Sequence, residues 1–146
     1  MIERQERWDK RFMDLAWHIS GWSKDPRRKV GAVIVDSNRR ILAMGYNGFP
    51  RGVDDDWRRY ADRETKLSLV VHAELNAILS ATAPLEMATL YVTSAPCAEC
   101  AKAILQTGID RVVWPTDSAL ASSDWAKSCE AMRLMFDEAG IDVEVL

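Results

Sequence analysis

The sequence predicts an α/β protein with a mixed sheet of about five strands and helices on both faces. Two apolar segments, 30–35 and 41–46, flank the short polar stretch Asp36-Ser37-Asn38, a pattern typical of a β-hairpin. Beyond the hairpin, helical and strand-like segments alternate to the end of the chain, as in proteins whose later strands run parallel. The 146 residues are expected to form one domain, since that length is enough to bury a single core.

The remaining elements follow from the spacing of apolar residues. Near the start of the chain five apolar residues recur at helical spacing: Trp8, Phe12, Leu15, Ala16 and Ile19. They predict a first helix that ends near Gly21. After the hairpin, the polar segment 47–66 is expected to be a long loop or short irregular helices. We then predict a helix over 70–81, a strand over 89–93, a helix over 97–106, a strand over 111–114, a helix from about Trp125 that stops at Gly140, and a strand over 141–145.

Charge and cysteine content restrict the class of protein. A net charge of −3 and a pI near 5.4 argue against a surface that binds nucleic acid. No apolar run approaches the roughly 20 residues of a membrane span, and the charged N-terminus does not resemble a secretory signal. Two of the three cysteines form a Cys-x-x-Cys pair, which indicates a metal or redox role in a reducing compartment. We therefore expect a cytoplasmic protein with no nucleic-acid or membrane partner.

Two short motifs carry the residues suited to chemistry, His72-Ala73-Glu74 and Pro96-Cys97-Ala98-Glu99-Cys100. Cys97 and Cys100 lie three residues apart near a predicted helix start, so their sulfurs face the same side. His72 lies at the start of another predicted helix and can supply a third ligand. Zinc favours thiolate and imidazole ligands, and a catalytic zinc keeps three protein ligands and one open position. The sequence therefore predicts one zinc per chain.

The absence of an obvious fourth ligand favours a catalytic zinc over a structural one. Cys129 falls on the apolar stripe of the last predicted helix, and His18 lies within the first. The fourth position is then left to water, and Glu74 is expected to move that water's proton to a leaving amine. Each motif alone has a simpler explanation. Cys-x-x-Cys can be a redox pair or two buried thiols, and a His-x-Glu tripeptide can arise by chance. Together, in this order and with Pro96, they match the H-x-E…P-C-x-x-C signature of zinc deaminases.

Beyond the signature, the chain resembles the deoxycytidylate (dCMP) deaminases over nearly its whole length. The matching segments are Ser23-Lys24-Asp25-Pro26 with 30–35, Gly45-Tyr46-Asn47-Gly48-Phe49-Pro50-Arg51-Gly52, 71–78, Tyr91-Val92-Thr93 and 96–102. The resemblance implies a three-layer α/β/α cytidine deaminase-like fold and a zinc-dependent reaction in which dCMP and water give dUMP and ammonia. Glu74 would accept a proton from water and return protons to N3 and to the departing amine.

The resemblance also implies substrate-binding roles outside the two motifs. Asn47 would hold the sugar, although a turn residue before Gly48 is the simpler alternative. Backbone groups of Ser94 and Ala95 would hold the base edge. Trp114 either walls the base or belongs to the core. The 5′-phosphate requires cations; Arg51 is the first candidate, and the others are Arg58, Arg59 and Arg63, with 27–29 in reserve.

Members of this family are often hexameric and respond to dCTP and dTTP, which implies a homo-oligomer, with a hexamer favoured. Candidate effector-binding residues by this resemblance are Lys24, Arg27, Arg28, Tyr46 and Gly48. The basic residues among them equally well flank a strand. The chain is shorter than the regulated members and lacks spare Cys and His residues for a second zinc.

Two other kinds of function fit parts of the sequence. One is a related deaminase that acts on dCTP, a modified dCMP, cytidine or tRNA adenosine; the acidic pI counts against tRNA. The other is a non-catalytic zinc module used for assembly. Glu74 argues against that module, because a structural zinc has no use for the carboxylate.

Overall fold

The computed structural model describes residues 2–116 and 123–146. Its elements, in chain order, are α1 Ile2–Ser20, β1 Gly31–Val35, β2 Ile41–Tyr46, α2 Trp57–Ala61, α3 Arg63–Leu69, α4 Ala73–Ser80, β3 Thr89–Val92, α5 Ala98–Gln106, β4 Arg111–Trp114, α6 Ser123–Ala139 and β5 Asp142–Val145. This order contains every strand that the apolar pattern predicts.

The five strands form one mixed sheet in the order β2-β1-β3-β4-β5. β1 is antiparallel to both of its neighbours, whereas β3, β4 and β5 run parallel. Because β2 and β3 both oppose β1, they run in the same direction and end at the same edge of the sheet. The predicted mixed sheet and the opening hairpin are therefore confirmed.

Side chains alternate between two cores, one on each face of the sheet. Ala32, Ile34 and Leu90 face the layer that contains α4, α5 and α6. Val33 and Tyr91 point the other way and pack under α1. This alternation is the period of a strand buried on both sides. Helices on both faces are likewise confirmed.

A buried ionic cluster fixes α1 to the sheet. The Arg111 guanidinium donates to both carboxylate oxygens of Asp9, at 2.8 and 2.7 Å, and the Tyr91 hydroxyl donates to the same carboxylate at 2.6 Å. Burial opposes ionisation of Asp9, but the hydrogen bonds from Arg111, Tyr91 and Gln5 together hold its pKa below the ordinary value. The cluster thus ties the first helix to β3 and β4.

α4 approaches β2 unusually closely. A Cβ atom on Gly45 would lie 2.4 Å from the Ala77 backbone nitrogen and 2.5 Å from the Ala73 carbonyl oxygen. The Asn76 amide donates to the Tyr46 carbonyl at 2.8 Å, and the Ser80 hydroxyl donates to the Met44 carbonyl at 3.2 Å. Helix and strand are therefore locked together by backbone contact and by side-chain hydrogen bonds.

The structure corrects the start of one predicted helix. The helix expected over 70–81 begins at Ala73, because Val70 is the C-cap residue of α3 and the Val71 backbone pairs with Gly48 in an isolated bridge. Segment 47–66 contains the short helices α2 and part of α3, which matches one of the two alternatives. Among the described helices, none is both long and apolar enough to span a bilayer.

Candidate active site

The three predicted zinc ligands meet at the N-termini of α4 and α5. His72 is the N-cap residue of α4, Cys97 is the N-cap residue of α5, and Cys100 lies in its first turn. The His72 Nδ1 atom lies 3.4 Å from each of the two sulfurs, and the three atoms lie within 4.8 Å of one another. Tetrahedral zinc with ordinary bond lengths separates such ligand atoms by about 3.5–3.8 Å. The donor set therefore fits zinc in both chemistry and spacing.

The two thiols differ in how readily they ionise. The pKa of Cys97 is lowered to about 4, because the Cys100 thiol, His72 and the Cys100 backbone N–H all donate toward its sulfur, although burial opposes the shift. The pKa of Cys100 is raised, first because its proton is shared with Cys97 and second because it is buried. A cation that binds both sulfurs removes this second proton, as metal binding to thiols generally does.

Glu74 follows His72 by two residues in the first turn of α4 and is buried, with 5% of its surface exposed. Burial raises the pKa of its carboxyl group, because the charged form is poorly solvated there. A buried carboxyl group with a raised pKa is suited to general acid–base work, because it holds a proton more readily than an exposed one. The structure therefore places a buried carboxyl group beside the ligand cluster, and its role as proton carrier stays a prediction.

A cavity of about 370 Å³ opens in front of His72 and Glu74. This volume is in the range of about 300–1,000 Å³ that small-molecule sites occupy. The lining residues are Asp25, Arg27, Arg28, Val30, Asn47, Tyr60, Arg63, Lys66, Leu67, Val70, His72, Ala73, Glu74, Ser94, Ala95 and Trp125. The cavity thus brings three predicted substrate-binding residues, namely Asn47, Ser94 and Ala95, to the same space as His72 and Glu74.

Asn47 uses its amide to hold the cavity wall. Its Oδ1 atom accepts from the Val30 backbone at 2.9 Å, and its Nδ2 atom donates to the Arg28 carbonyl at 2.8 Å. The side chain therefore fixes residues 28–30 at the cavity. Its expected contact with the sugar stays a prediction.

The basic residues that line the cavity do not include Arg51, the first candidate for binding the 5′-phosphate. Arg63 and the reserve residues Arg27 and Arg28 line it, whereas Arg51 does not. Two other candidates also lie outside the lining and have partners of their own. Arg58 pairs with Asp56 at 2.6 Å, and Arg59 donates to the Asp54 carbonyl at 3.1 Å.

Trp114 lies outside this cavity. It is 1% exposed and lines a separate cavity of about 270 Å³, where the Arg133 guanidinium lies 5.7 Å from its ring centroid. Ala95 lines both cavities. The expected contact between Trp114 and the base stays a prediction.

The candidate effector residues are divided between two regions. Arg27 and Arg28 line the cavity beside the candidate zinc ligands. Lys24 pairs with Asp55 at 2.7 Å, the Tyr46 ring packs edge-on against Trp22, and the Gly48 backbone pairs with Val71. Within the described residues these five do not form one cluster around a common cavity.

Sequence reasoning missed several residues that line the cavity: Asp25, Tyr60, Lys66 and Trp125. Trp125 fits the apolar stripe of α6, so its helical spacing predicts core packing. Lys66 and Asp25 are 41 positions apart in the sequence, yet their side chains pair at 2.7 Å. Only a three-dimensional contact, which no local pattern encodes, distinguishes these residues from ordinary surface or core positions.

Comparison with known proteins gives one consistent result. Residues 6–116 match the family model described as the cytidine and deoxycytidylate deaminase zinc-binding region. The chain is 42% identical to an uncharacterized deaminase in the luxG 3′ region of Aliivibrio fischeri, over 94% of this chain and 92% of that protein. It is 41% identical to Homo sapiens deoxycytidylate deaminase, over 92% of this chain and 76% of that protein. Among solved structures, dCMP deaminase from cyanophage S-TIM5 in complex with dCMP and dUMP aligns with a TM-score of 0.73 at 26% identity, covering 94% and 95% of the two chains.

Proposed function

This chain belongs to the cytidine and deoxycytidylate deaminase family, and from that premise we propose that it hydrolyses dCMP to dUMP and ammonia. The observation that carries the proposal is the His72–Cys97–Cys100 cluster with Glu74 beside it at one end of the cavity. The human relative is named for this activity, and the cyanophage dCMP deaminase structure is a complex with dCMP and dUMP. The chain is accordingly a zinc-dependent hydrolytic deaminase.

His72, Cys97 and Cys100 would hold the zinc, which when bound lowers the pKa of water enough to make it a nucleophile. Glu74 would accept one proton from water as its oxygen bonds to C4 of cytosine, and would pass that proton to N3. It would then take the second proton from the new hydroxyl group on C4 and pass it to the exocyclic amino group, so that the C4–N bond breaks, ammonia leaves and the C4 carbonyl forms. The raised pKa of Glu74 lets it hold a proton between these transfers.

The cavity wall supports binding of the rest of the nucleotide. Ser94 and Ala95 follow β3 and lie at the same cavity as Glu74, where their backbone groups can meet the base edge. Asn47 lies on the wall beside them. Positioning of this kind contributes to rate because the reacting atoms are held in an attack geometry.

A panel of cytosine compounds tests the proposal. Purified enzyme is given deoxycytidine, cytidine, dCMP, dCDP, dCTP and cytosine, and ammonia release is followed. We expect dCMP to have the highest kcat/KM, because cations that line the cavity are left unpaired when the phosphate is missing. Equal kcat/KM for dCMP and deoxycytidine would favour a nucleoside deaminase, and no release from any compound would reject the activity.

We also propose that the chain forms a homo-oligomer, with a hexamer favoured by the resemblance and with dCTP and dTTP as effectors. Trp22 and Tyr46 are 52% and 41% exposed and pack edge-on, and Met44 lies on the same face of β2 at 42% exposure. Exposed apolar clusters of this kind often mark interfaces. Analytical ultracentrifugation tests the oligomer, and rates of ammonia release with and without dCTP and dTTP test the effectors. A monomer would reject the first point, and unchanged rates would reject the second.

A cytoplasmic location is proposed from the cysteines. All three are free thiols, and all three are buried, so no disulfide contributes to the fold. Reduced thiols are typical of a reducing compartment. Fractionation of the source cells, followed by detection of the protein, tests the location.

A further inference from the structure

Arg28 is held between two elements at the wall of the cavity. Its terminal nitrogen donates to the Ser94 hydroxyl at 2.7 Å, and its guanidinium carbon lies 4.6 Å from the centroid of the Trp125 ring. Ser94 follows β3, whereas Trp125 belongs to α6. The side chain is half-buried, so its guanidinium has a fixed direction rather than a solvated, mobile one.

The backbone of Arg28 is fixed as well. One carboxylate oxygen of Asp25 accepts the backbone N–H groups of Arg27 and Arg28, at 2.9 and 3.2 Å. The Arg28 carbonyl accepts from Asn47. Asp25 is fully buried, and its second oxygen pairs with Lys66 at 2.7 Å. The same buried carboxylate therefore positions Arg28 and largely offsets the charge of Lys66.

The cavity is cationic although the protein is acidic. Its lining includes four Lys or Arg side chains and two carboxylates, while the whole chain carries a net charge of −3. Lys66 is already paired with Asp25, and Arg27 and Arg63 are exposed to solvent. Among these four cations, Arg28 is therefore the one whose guanidinium is held in place, by Ser94, at the cavity that Glu74 also lines.

A guanidinium carries five N–H donors in a planar fork that matches phosphate geometry. Within the described residues, one terminal nitrogen of Arg28 is used by Ser94. The remaining donors are suited to a second acceptor with negative charge, and such charge-assisted bonds are stronger than neutral ones. A neutral nucleoside offers no such acceptor.

We propose that Arg28 is the specificity-determining residue that binds the phosphate of the nucleotide substrate, with Ser94 and Trp125 holding its guanidinium in position. This inference rests on the proposed deaminase function. It assigns the preference for a nucleotide over a nucleoside to one side chain, and Arg51 and the other arginines of 51–63 contribute less.

The test compares Arg28→Ala and Arg28→Lys with wild type on dCMP and on deoxycytidine. We expect Arg28→Ala to lower the ratio of the two kcat/KM values by about 10- to 100-fold, the loss typical of one hydrogen bond to a charged group. The rate with deoxycytidine should stay within about threefold. Arg28→Lys keeps the charge without the fork and should retain part of the ratio. Arg40→Ala, in the turn after β1 and away from the cavity lining, is the matched control.

A second measurement uses ligands that are not themselves deaminated. In Arg28→Ala the inhibition constant of dUMP against deoxycytidine should rise by about the same factor as the kcat/KM ratio falls, whereas the inhibition constant of deoxyuridine should not change. If Arg28→Ala does not fold, as judged by circular dichroism and zinc content, Ser94→Ala replaces it and should lower the same ratio less strongly.

Two outcomes would overturn the inference. Equal losses with dCMP and deoxycytidine would assign Arg28 to the base or to the fold. An unchanged ratio in Arg28→Ala, with a lowered ratio in Arg51→Ala, would move the phosphate contact to Arg51. Both outcomes leave the deaminase activity intact, whereas a wild-type protein that releases no ammonia from either compound rejects the proposed function itself.

Discussion

Replacing Gly45 by alanine tests whether the close contact between β2 and α4 sets the position of the active site. The added Cβ would lie 2.4 Å from the Ala77 nitrogen, and ordinary contact begins at 3.4 Å, so strand and helix must separate by about 1 Å. Backbone atoms on both sides cannot rotate away as a side chain would. Overpacking of this kind costs about 1–3 kcal/mol of unfolding free energy.

The same displacement reaches the chemistry, because α4 carries Glu74 in its first turn. A misplacement of about 1 Å can cost about 100-fold in rate. We therefore expect Gly45→Ala to lose both stability in urea unfolding and most of its kcat, with dCMP as substrate. Gly48→Ala is the matched control, because a Cβ added there would meet nothing within 4 Å, and its unfolding free energy should stay within about 0.5 kcal/mol of wild type. Unchanged stability and kcat in Gly45→Ala would refute this reasoning.

Three further predictions concern the site and the ionic cluster. Glu74→Gln should keep its zinc and its fold but lose about 10²–10⁴-fold in turnover, since an amide cannot carry the proton; more than about a tenth of the wild-type rate would remove Glu74 from this role. Elemental analysis should find one zinc per chain in wild type and little in Cys97→Ala; two zincs, or undiminished zinc in the variant, would contradict the ligand set. Asp9→Asn should be less stable than wild type near neutral pH by about 3–5 kcal/mol, because it leaves the largely covered guanidinium of Arg111 without its main charged partner. The pKa of Asp9 is lowered from 3.8, so its contribution is complete above that value and is lost as pH falls through the lowered pKa. The difference between the two proteins in urea unfolding should therefore shrink in acid, and a constant difference would contradict this account.

The strands and the cluster of candidate zinc ligands could be predicted because their signals are local. Apolar runs bounded by turn residues mark β1 and β2, and the spacing of Cys97 and Cys100 places two sulfurs on one side of a helix start. The predicted start of α4 was wrong for an equally local reason. Val70 and Val71 continue the apolar pattern of the helix. The N-cap residue, His72, is not one of the Ser, Thr, Asp or Asn residues that usually mark a helix start, and its side chain makes no cap hydrogen bond.

The cationic wall of the cavity could not be predicted in the same way. An arginine in a polar segment looks the same whether it faces solvent, as Arg51 does, or is held by a hydroxyl and an indole, as Arg28 is. Ser94 lies 66 positions from Arg28, and Trp125 is more distant still. Such partners depend on how the sheet and its helices pack, and the periodicity of one segment contains no information about them.

β2 lies at the margin of the sheet, where backbone groups without partners invite pairing with a strand of another molecule. The Met44 and Tyr46 carbonyls accept hydrogen bonds from Ser80 and Asn76 instead. An incoming strand would have to displace these side chains, and with them the helix that carries Glu74. Aggregation by strand pairing at β2 is therefore incompatible with the position of α4 that holds Glu74 in the active site. Aggregates of this kind should be inactive and should form only after α4 has detached from β2.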